Sequence, residues 1–349
     1  MLKRLKERKA LAVCSMIMII GIFAIVSNGF SAPITLKFGH EDNIYSHCQV
    51  QAEIFKEMVE KRSGGEIKIT IYPGGTLTAS PEELLEFLRS GVVDISLTAT
   101  GNVSGFLDDL QFFNLPFLFN SLEHLNVGLE SYPAREILDK FENKVNVKAF
   151  GLSEDGTGTC ITSIKPIRSF DDMKGFKIRC MMNPIFIDMY KAFGASPTPI
   201  DWSELYTSLK LGAVEGQDNA PYLSYSHKFF EVQNAVAMTR HYWSGFLFLM
   251  SPASLNKLSP EQRQIVEVSA KESNALQREW CHIKDLQALK VLEKKGKTVT
   301  YPDREPFKNA VGPVYDKWFA KYPHWKDWFE QIKRLDPETA EPKAGLPEL

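Results

Sequence analysis

The chain has 349 residues, 44% of them hydrophobic and 24% charged, with a formal net charge of −2. That length suffices for two domains of ordinary size. Its first 32 residues carry five Lys/Arg and one Glu, which leaves the rest near −6, a mildly acidic balance that argues against nucleic-acid binding, where a basic face is needed.

Lys3, Arg4, Lys6, Arg8 and Lys9 precede an apolar run over residues 10–26. A basic stretch followed by an apolar one is the layout of a secretory signal. The run of 17 residues falls short of the about 20 that a spanning helix needs. Ser27-Asn28-Gly29 and Phe30-Ser31-Ala32 both offer small residues for cleavage, neither in ideal form. Leu11-Ala12-Val13-Cys14 has a roughly lipobox-like order, but most of the apolar run follows Cys14, which disfavours lipidation. Residues 1–32 are expected to be a signal peptide, and the remainder an exported soluble protein.

Strands and helices then alternate. Residues 34–39 read as a strand, and Val50, Ile54, Phe55, Met58 and Val59 mark one face of a helix. Ile67, Ile69 and Ile71 alternate as a half-buried strand. Ser80, Pro81 and two glutamates open a second helix that stops at Gly91, with a strand over 92–98 after it. Such an order implies parallel strands with helices on the faces. Ligands of open sheets of this kind bind at the carboxyl ends of strands, where His40, Glu41 and Thr98-Ala99-Thr100 fall.

After a strand over 147–152, a second unit begins. Its best-defined segment is Lys174-Gly175-Phe176-Lys177-Ile178-Arg179, a lysine-flanked strand closed by an arginine. The planar guanidinium can donate two parallel hydrogen bonds to a carboxylate; a surface position or a structural ion pair is open on the residue alone. Helices are expected over 184–193 and 203–212, with Trp202 between them, and a strand-turn that ends at Gln217-Asp218-Asn219. Ser259-Pro260-Glu261-Gln262 has the capping-box pattern of a helix start. The helix can run to residue 295, roughly 50 Å at ~1.5 Å per residue, enough to brace two domains.

Cys48, Cys160, Cys180 and Cys281 fit no zinc spacing. Export permits disulfides, and Cys160 with Cys180 is the pair to check first, although buried free thiols are the preferred reading. Gly156-Thr157-Gly158-Thr159 lacks the frame of a phosphate loop, and His40 and His47 lack a HExxH context. No GxSxG element occurs. No metal, cofactor or catalytic nucleophile is therefore expected, and the chain is not read as an enzyme. Trp318, Phe319, Tyr322, Trp325, Trp328 and Phe329 recur at helical spacing and are read as packed core. The last dozen residues, rich in Pro and Glu, are expected to fray.

Several ordered words carry a resemblance: KGFKIR at 174–179, FGASPTPIDWSELYTSL at 193–209, VEGQDN at 214–219 and KFFEVQNAVAMT at 228–239, with fainter echoes in LKFGH, IYPGGTL and LPFLF. They resemble the solute receptors of tripartite ATP-independent periplasmic (TRAP) transporters, the dicarboxylate-receptor family, over nearly all of the mature chain. The resemblance implies an α/β, two-domain periplasmic-binding-protein fold with a hinge, each domain a mixed sheet flanked by helices, joined by a long helix. Residues 33–152 with 244–285 would form domain I, and 153–243 with 286–349 domain II. It implies a small organic acid captured between the domains and delivered to TRAP permease membrane subunits, by a monomer that does no chemistry. A sensor subunit with the same cleft is the alternative, and a secreted enzyme using Glu41, His40 and Arg179 a further one.

Residue by residue, the resemblance places Arg179 on the ligand carboxylate, Asn219 as an amide over it, Asp218 as a neighbouring acid, Trp202 as an aromatic wall and His241 in a water network. Many relatives carry a second arginine where this chain has Gly158 or Thr159. Relatives for acidic sugars have polar or acidic groups where Ser80 and Ala99 stand, and Glu41 takes a place often neutral elsewhere. One cation, small hydroxyls and an extra carboxylate favour a monocarboxylate bearing hydroxyl or amino groups over a dicarboxylate.

Overall fold

The computed structural model describes residues 32–78, 80–156 and 158–337. The expected signal segment with Cys14, the loop residue Thr157 and the terminal residues from 338 lie outside the described residues. Two mixed sheets organise the rest. In the first, the order is β2 (Ile67–Tyr72), β1 (Ile34–His40), β3 (Ile95–Ala99), β10 (Gly245–Met250) and β4 (Lys148–Glu154). In the second it is β11 (Thr298–Thr300), β9 (Ala235–Ala237), β5 (Cys160–Ser163), β8 (Gly216–Asn219), β6 (Lys177–Cys180) and β7 (Ser196–Pro199).

The first three strands pair in parallel, as their helical crossovers require. β10 then enters antiparallel between β3 and β4, a partner brought in from about 150 residues downstream of β3. The expected cap at Ser80 is made, accepting from the Glu83 amide at 3.3 Å, and Ser46 caps the preceding helix by accepting from the Gln49 amide at 3.2 Å. The helix foreseen over 203–212 is shorter, a turn of 3₁₀ at Trp202–Glu204 followed by Leu205–Lys210.

The chain passes between the sheets three times: from β4 to β5, from β9 to β10, and through the helix Pro260–Lys294 into β11. These crossings form the hinge. Over its 35 residues the helix touches both lobes. Arg278 Nη1 donates to the Leu152 carbonyl at 2.8 Å, and Asp285 Oδ1 accepts from the Tyr222 amide at 2.8 Å. Ser259 and Gln262 close the capping box at 3.2 and 3.1 Å.

The C-terminal helices Gly312–Lys321 and His324–Lys333 bury Trp318, Trp325 and Trp328. Trp325 and Trp328 meet Phe112 edge-on at 5.9 and 5.5 Å, while Trp318 Nε1 donates to Asp188 of the helix Pro184–Ala192 at 2.9 Å. The aromatic run is thus core shared by both lobes. All four described cysteines are free and buried. Cys160 on β5 and Cys180 on β6 stand on either side of β8. Two strand spacings of about 4.8 Å exceed the reach of a disulfide, about 7 Å between Cα atoms.

Trp325 is fully buried and its Nε1 donates to Asp109 Oδ1 at 2.8 Å. Trp325→Ala is expected to lower the unfolding free energy by about 3–5 kcal/mol, read from the shift of a urea midpoint.

Candidate functional site

Arg179 is the penultimate residue of β6, and the parallel register sets it opposite Gln217 of β8. Directly paired strand residues share a face, so Arg179, Gln217 and Asn219 point the same way and Asp218 points the other. Arg179 is 3% exposed. Its Nε donates to the Ile200 carbonyl at 2.9 Å, and the guanidinium carbon stands 6.0 Å from the Trp202 ring centre. Among the described residues no carboxylate lies within ion-pair distance of it. A buried guanidinium is costly to leave uncompensated, and an anion in the cleft would offset that cost.

Asn219 donates to Gln217 Oε1, and Gln217 Nε2 donates in turn to Thr162 Oγ1 at 2.8 Å. The amide is thereby oriented and keeps a second N–H for a ligand. Across the cleft, the turn after β1 supplies Glu41 and Asp42. Together with Ala99, Asn102, Asp155, Met181, Leu223, Ser244 and Phe246 they complete a hollow between the sheets. The lobes meet at its rim: Tyr222 Oη donates to the Tyr45 carbonyl at 2.9 Å, and Asn43 Nδ2 donates to His227 Nε2 at 3.1 Å.

Five of the sequence-derived residues therefore converge: Arg179, Asn219, Trp202, Glu41 and Ala99. His40 and Ser80 line an adjoining hollow whose shared wall is Glu41. His40 Nε2 is 3.0 Å from Gln49 Oε1, and burial holds its pKa below the ordinary histidine value. Asp218 and His241 lie behind the sheet, joined through Tyr190, whose hydroxyl bonds Asp218 and sits 2.7 Å from His241 Nε2. Thr159 is buried, with its hydroxyl on the Tyr242 carbonyl at 3.1 Å, and does not line the cleft. Gly158 lines a separate cavity with Arg240, His282 and Arg304.

Asp42, Asn102, Asp155, Ser244 and Phe246 were not singled out from the sequence. Asp155 follows the last residue of β4, so the strand-end rule that flagged His40 and Glu41 could have found it. Ser244 and Phe246 have no local signal, because they reach the cleft only through the insertion of β10.

The carboxylates differ in state. Burial, reinforced by Asp42 and Asp201, pushes the Glu41 carboxyl up to about 8 against one hydrogen bond from Asn102 Nδ2 at 3.2 Å. Burial also raises Asp155 well above the ordinary range. Asp42 goes the other way: burial opposes its charge, but the contact with His227 and the nearby His47 and His40 outweigh it.

Two lobes around a cleft with one receptive arginine define a ligand-binding protein of the periplasmic type. Residues 38–322 match the family described as bacterial extracellular solute-binding protein, family 7, and the chain belongs to it. It is 28% identical over 329 residues to the 2,3-diketo-L-gulonate-binding periplasmic protein YiaO of Escherichia coli (strain K12), covering 94% of this chain and 99% of that one. A TRAP periplasmic solute-binding protein from Sulfitobacter sp. NAS-14.1 with bound β-D-galacturonate superposes with a TM-score of 0.79 at 28% identity, over 86% and 99% of the two chains. One from Polaromonas sp. JS666, bound to D-erythronate, gives 0.79 at 28%, over 86% and 98%. The family consists of solute receptors.

Between the ordinary carboxyl range and about 8, Glu41 holds a proton in the folded chain that the unfolded chain has released. Stability therefore falls as pH rises through that window. Without ligand, Glu41→Gln is expected to raise the melting temperature, with a larger gain at pH 8 than at pH 5 in thermal melts.

Proposed function

We propose that this protein is the periplasmic receptor of a TRAP transporter and captures a small monocarboxylate bearing hydroxyl or amino groups between its lobes. The observation that carries the reading is the buried Arg179 guanidinium, which faces the cleft without a protein counter-ion. Arg179 takes the ligand carboxylate through paired hydrogen bonds, Asn219 adds an amide donor, Trp202 walls the site and Glu41 meets the ligand from the opposite lobe. The lobes follow the division 33–152 with 244–285 and 153–243 with 286–349. Closure about the three crossings excludes water and strengthens the ion pair. The loaded, closed monomer then presents itself to the membrane permease. Export is directed by residues 1–32.

Bound sugar acids in the Sulfitobacter and Polaromonas relatives support the ligand class. Arg179 is the one cation among the described residues that line the cleft. A second ligand carboxylate would be desolvated without a partner, at a cost of several kcal/mol.

In a thermal-shift screen, hydroxy- or amino-monocarboxylates are expected to stabilise the protein by mass action, and succinate, malate and fumarate are not. Binding of succinate alone would sink the ligand class. Removing one member of a buried charge pair costs ~2–5 kcal/mol, so Arg179→Ala should weaken the best ligand roughly 30- to 5,000-fold in calorimetry. Arg179→Lys should fail too, because a point charge cannot reproduce the fork. Affinity within threefold of the unmodified protein would mean that the anion sits elsewhere. Small-angle scattering should record a smaller radius once ligand is added.

A further inference from the structure

Four charged side chains line the cleft: Arg179 and the carboxylates Glu41, Asp42 and Asp155. Asp42 is accounted for by histidines on two sides, with His227 Nε2 at 3.6 Å and His47 Nδ1 at 3.8 Å. Glu41 and Asp155 have no cation within ion-pair distance among the described residues. Once a ligand carboxylate has neutralised Arg179, neither acid has a cation beside it that would let it ionise in this poorly solvated space.

Their hydrogen bonding is also incomplete. Asp155 is 2% exposed, and its Oδ1 has no hydrogen-bond partner. Glu41 receives the single hydrogen bond from Asn102 and keeps part of its surface open to the cleft. An ionised carboxylate only accepts, so for either acid to ionise here the ligand must bring donors, and positive charge to go with them. A hydroxyl group brings one donor and no charge, whereas an ammonium brings three donors and a full charge.

We infer that the ligand of this cleft is zwitterionic, an amino-substituted organic acid whose carboxylate sits on Arg179 and whose ammonium is received by Glu41 and Asp155. The assignment rests on the proposed capture of a carboxylate by Arg179 and narrows it. Glu41 enters from the lobe of the first sheet and Asp155 from the hinge end of β4, so the ammonium would tie one lobe to the pivot while the carboxylate ties the other. Both acids carry a raised pKa in the empty cleft, chiefly through burial. A bound cation reverses that preference, so the arrival of the ligand expels protons.

The test compares acids that differ in one group: lactate with alanine, glycerate with serine, and gluconate with 2-amino-2-deoxygluconate, the smaller acids in both enantiomers. Titration calorimetry is run in two buffers of unlike ionisation enthalpy, which reads the proton count. In at least one pair the amino acid should bind about tenfold or more tightly than its hydroxy partner, with net proton release. Glu41→Gln should erase that preference, and Asp155→Asn should do so as well if it folds; Glu41 stands at the cleft surface and keeps the test valid if Asp155→Asn does not. Hydroxy acids that bind as well as their amino partners in every pair would overturn the inference and leave the carboxylate receptor standing. So would an amino preference that survives Glu41→Gln without proton release. If no acid binds, or if Arg179→Ala leaves binding intact, the receptor reading itself falls and takes this inference with it.

Discussion

A positive charge held out of water, with no carboxylate at ion-pair distance among the described residues, governs the architecture of this molecule. Arg179 is fixed by the Ile200 carbonyl and flanked by Trp202, which orients the fork without satisfying its charge. That arrangement is tolerable only in a protein with a second state, in which the cleft opens and water reaches the guanidinium. The hinge follows from the site as much as the site from the hinge.

The remaining polar groups are arranged to keep the site rigid while empty. Gln217 is anchored to Thr162 and Ser224, and it orients Asn219. Behind the sheet, Tyr190 ties Asp218 to His241, and His241 Nδ1 reaches Thr239 Oγ1 at 2.7 Å. This chain of bonds grips β8 from the side opposite the ligand, so strand position and side-chain direction are both constrained before anything binds. Little side-chain entropy then remains to be lost on capture.

Local signals made much of this legible in the sequence. The alternation of Ile67, Ile69 and Ile71, the Ser80 cap and the Ser259–Gln262 box are short-range physics, and each of these elements stands where its signal placed it. Arg179 and Asn219 were readable because they stand next to or at the ends of strands and because the surrounding words match a known family. The side of the sheet on which Asp218 falls was readable too, since it lies one residue from Asn219 and strand side chains alternate. The insertion of β10 between β3 and β4 was not, because a continuous apolar run, GFLFLM, says nothing about its neighbours. Ser244 and Phe246 were hidden with it, and so was the packing of the terminal tryptophans on both lobes, a matter of long-range contacts that periodicity does not encode.

The four thiols have a consequence for how the chain reaches this state. Burial raises Cys48, Cys160 and Cys281 far above the ordinary thiol range and Cys180 up to about 12, so the finished protein offers almost no thiolate to an oxidant. The protection belongs to the fold and not to the side chains. In an oxidising space, a newly exported chain presents all four before any strand has formed, and every disulfide between them is non-native. Biogenesis is therefore a race between burial and oxidation. β5 and β6 must be zipped onto β8 before Cys160 and Cys180 find each other, which makes the speed of assembly of the second sheet a determinant of how much active receptor a cell obtains.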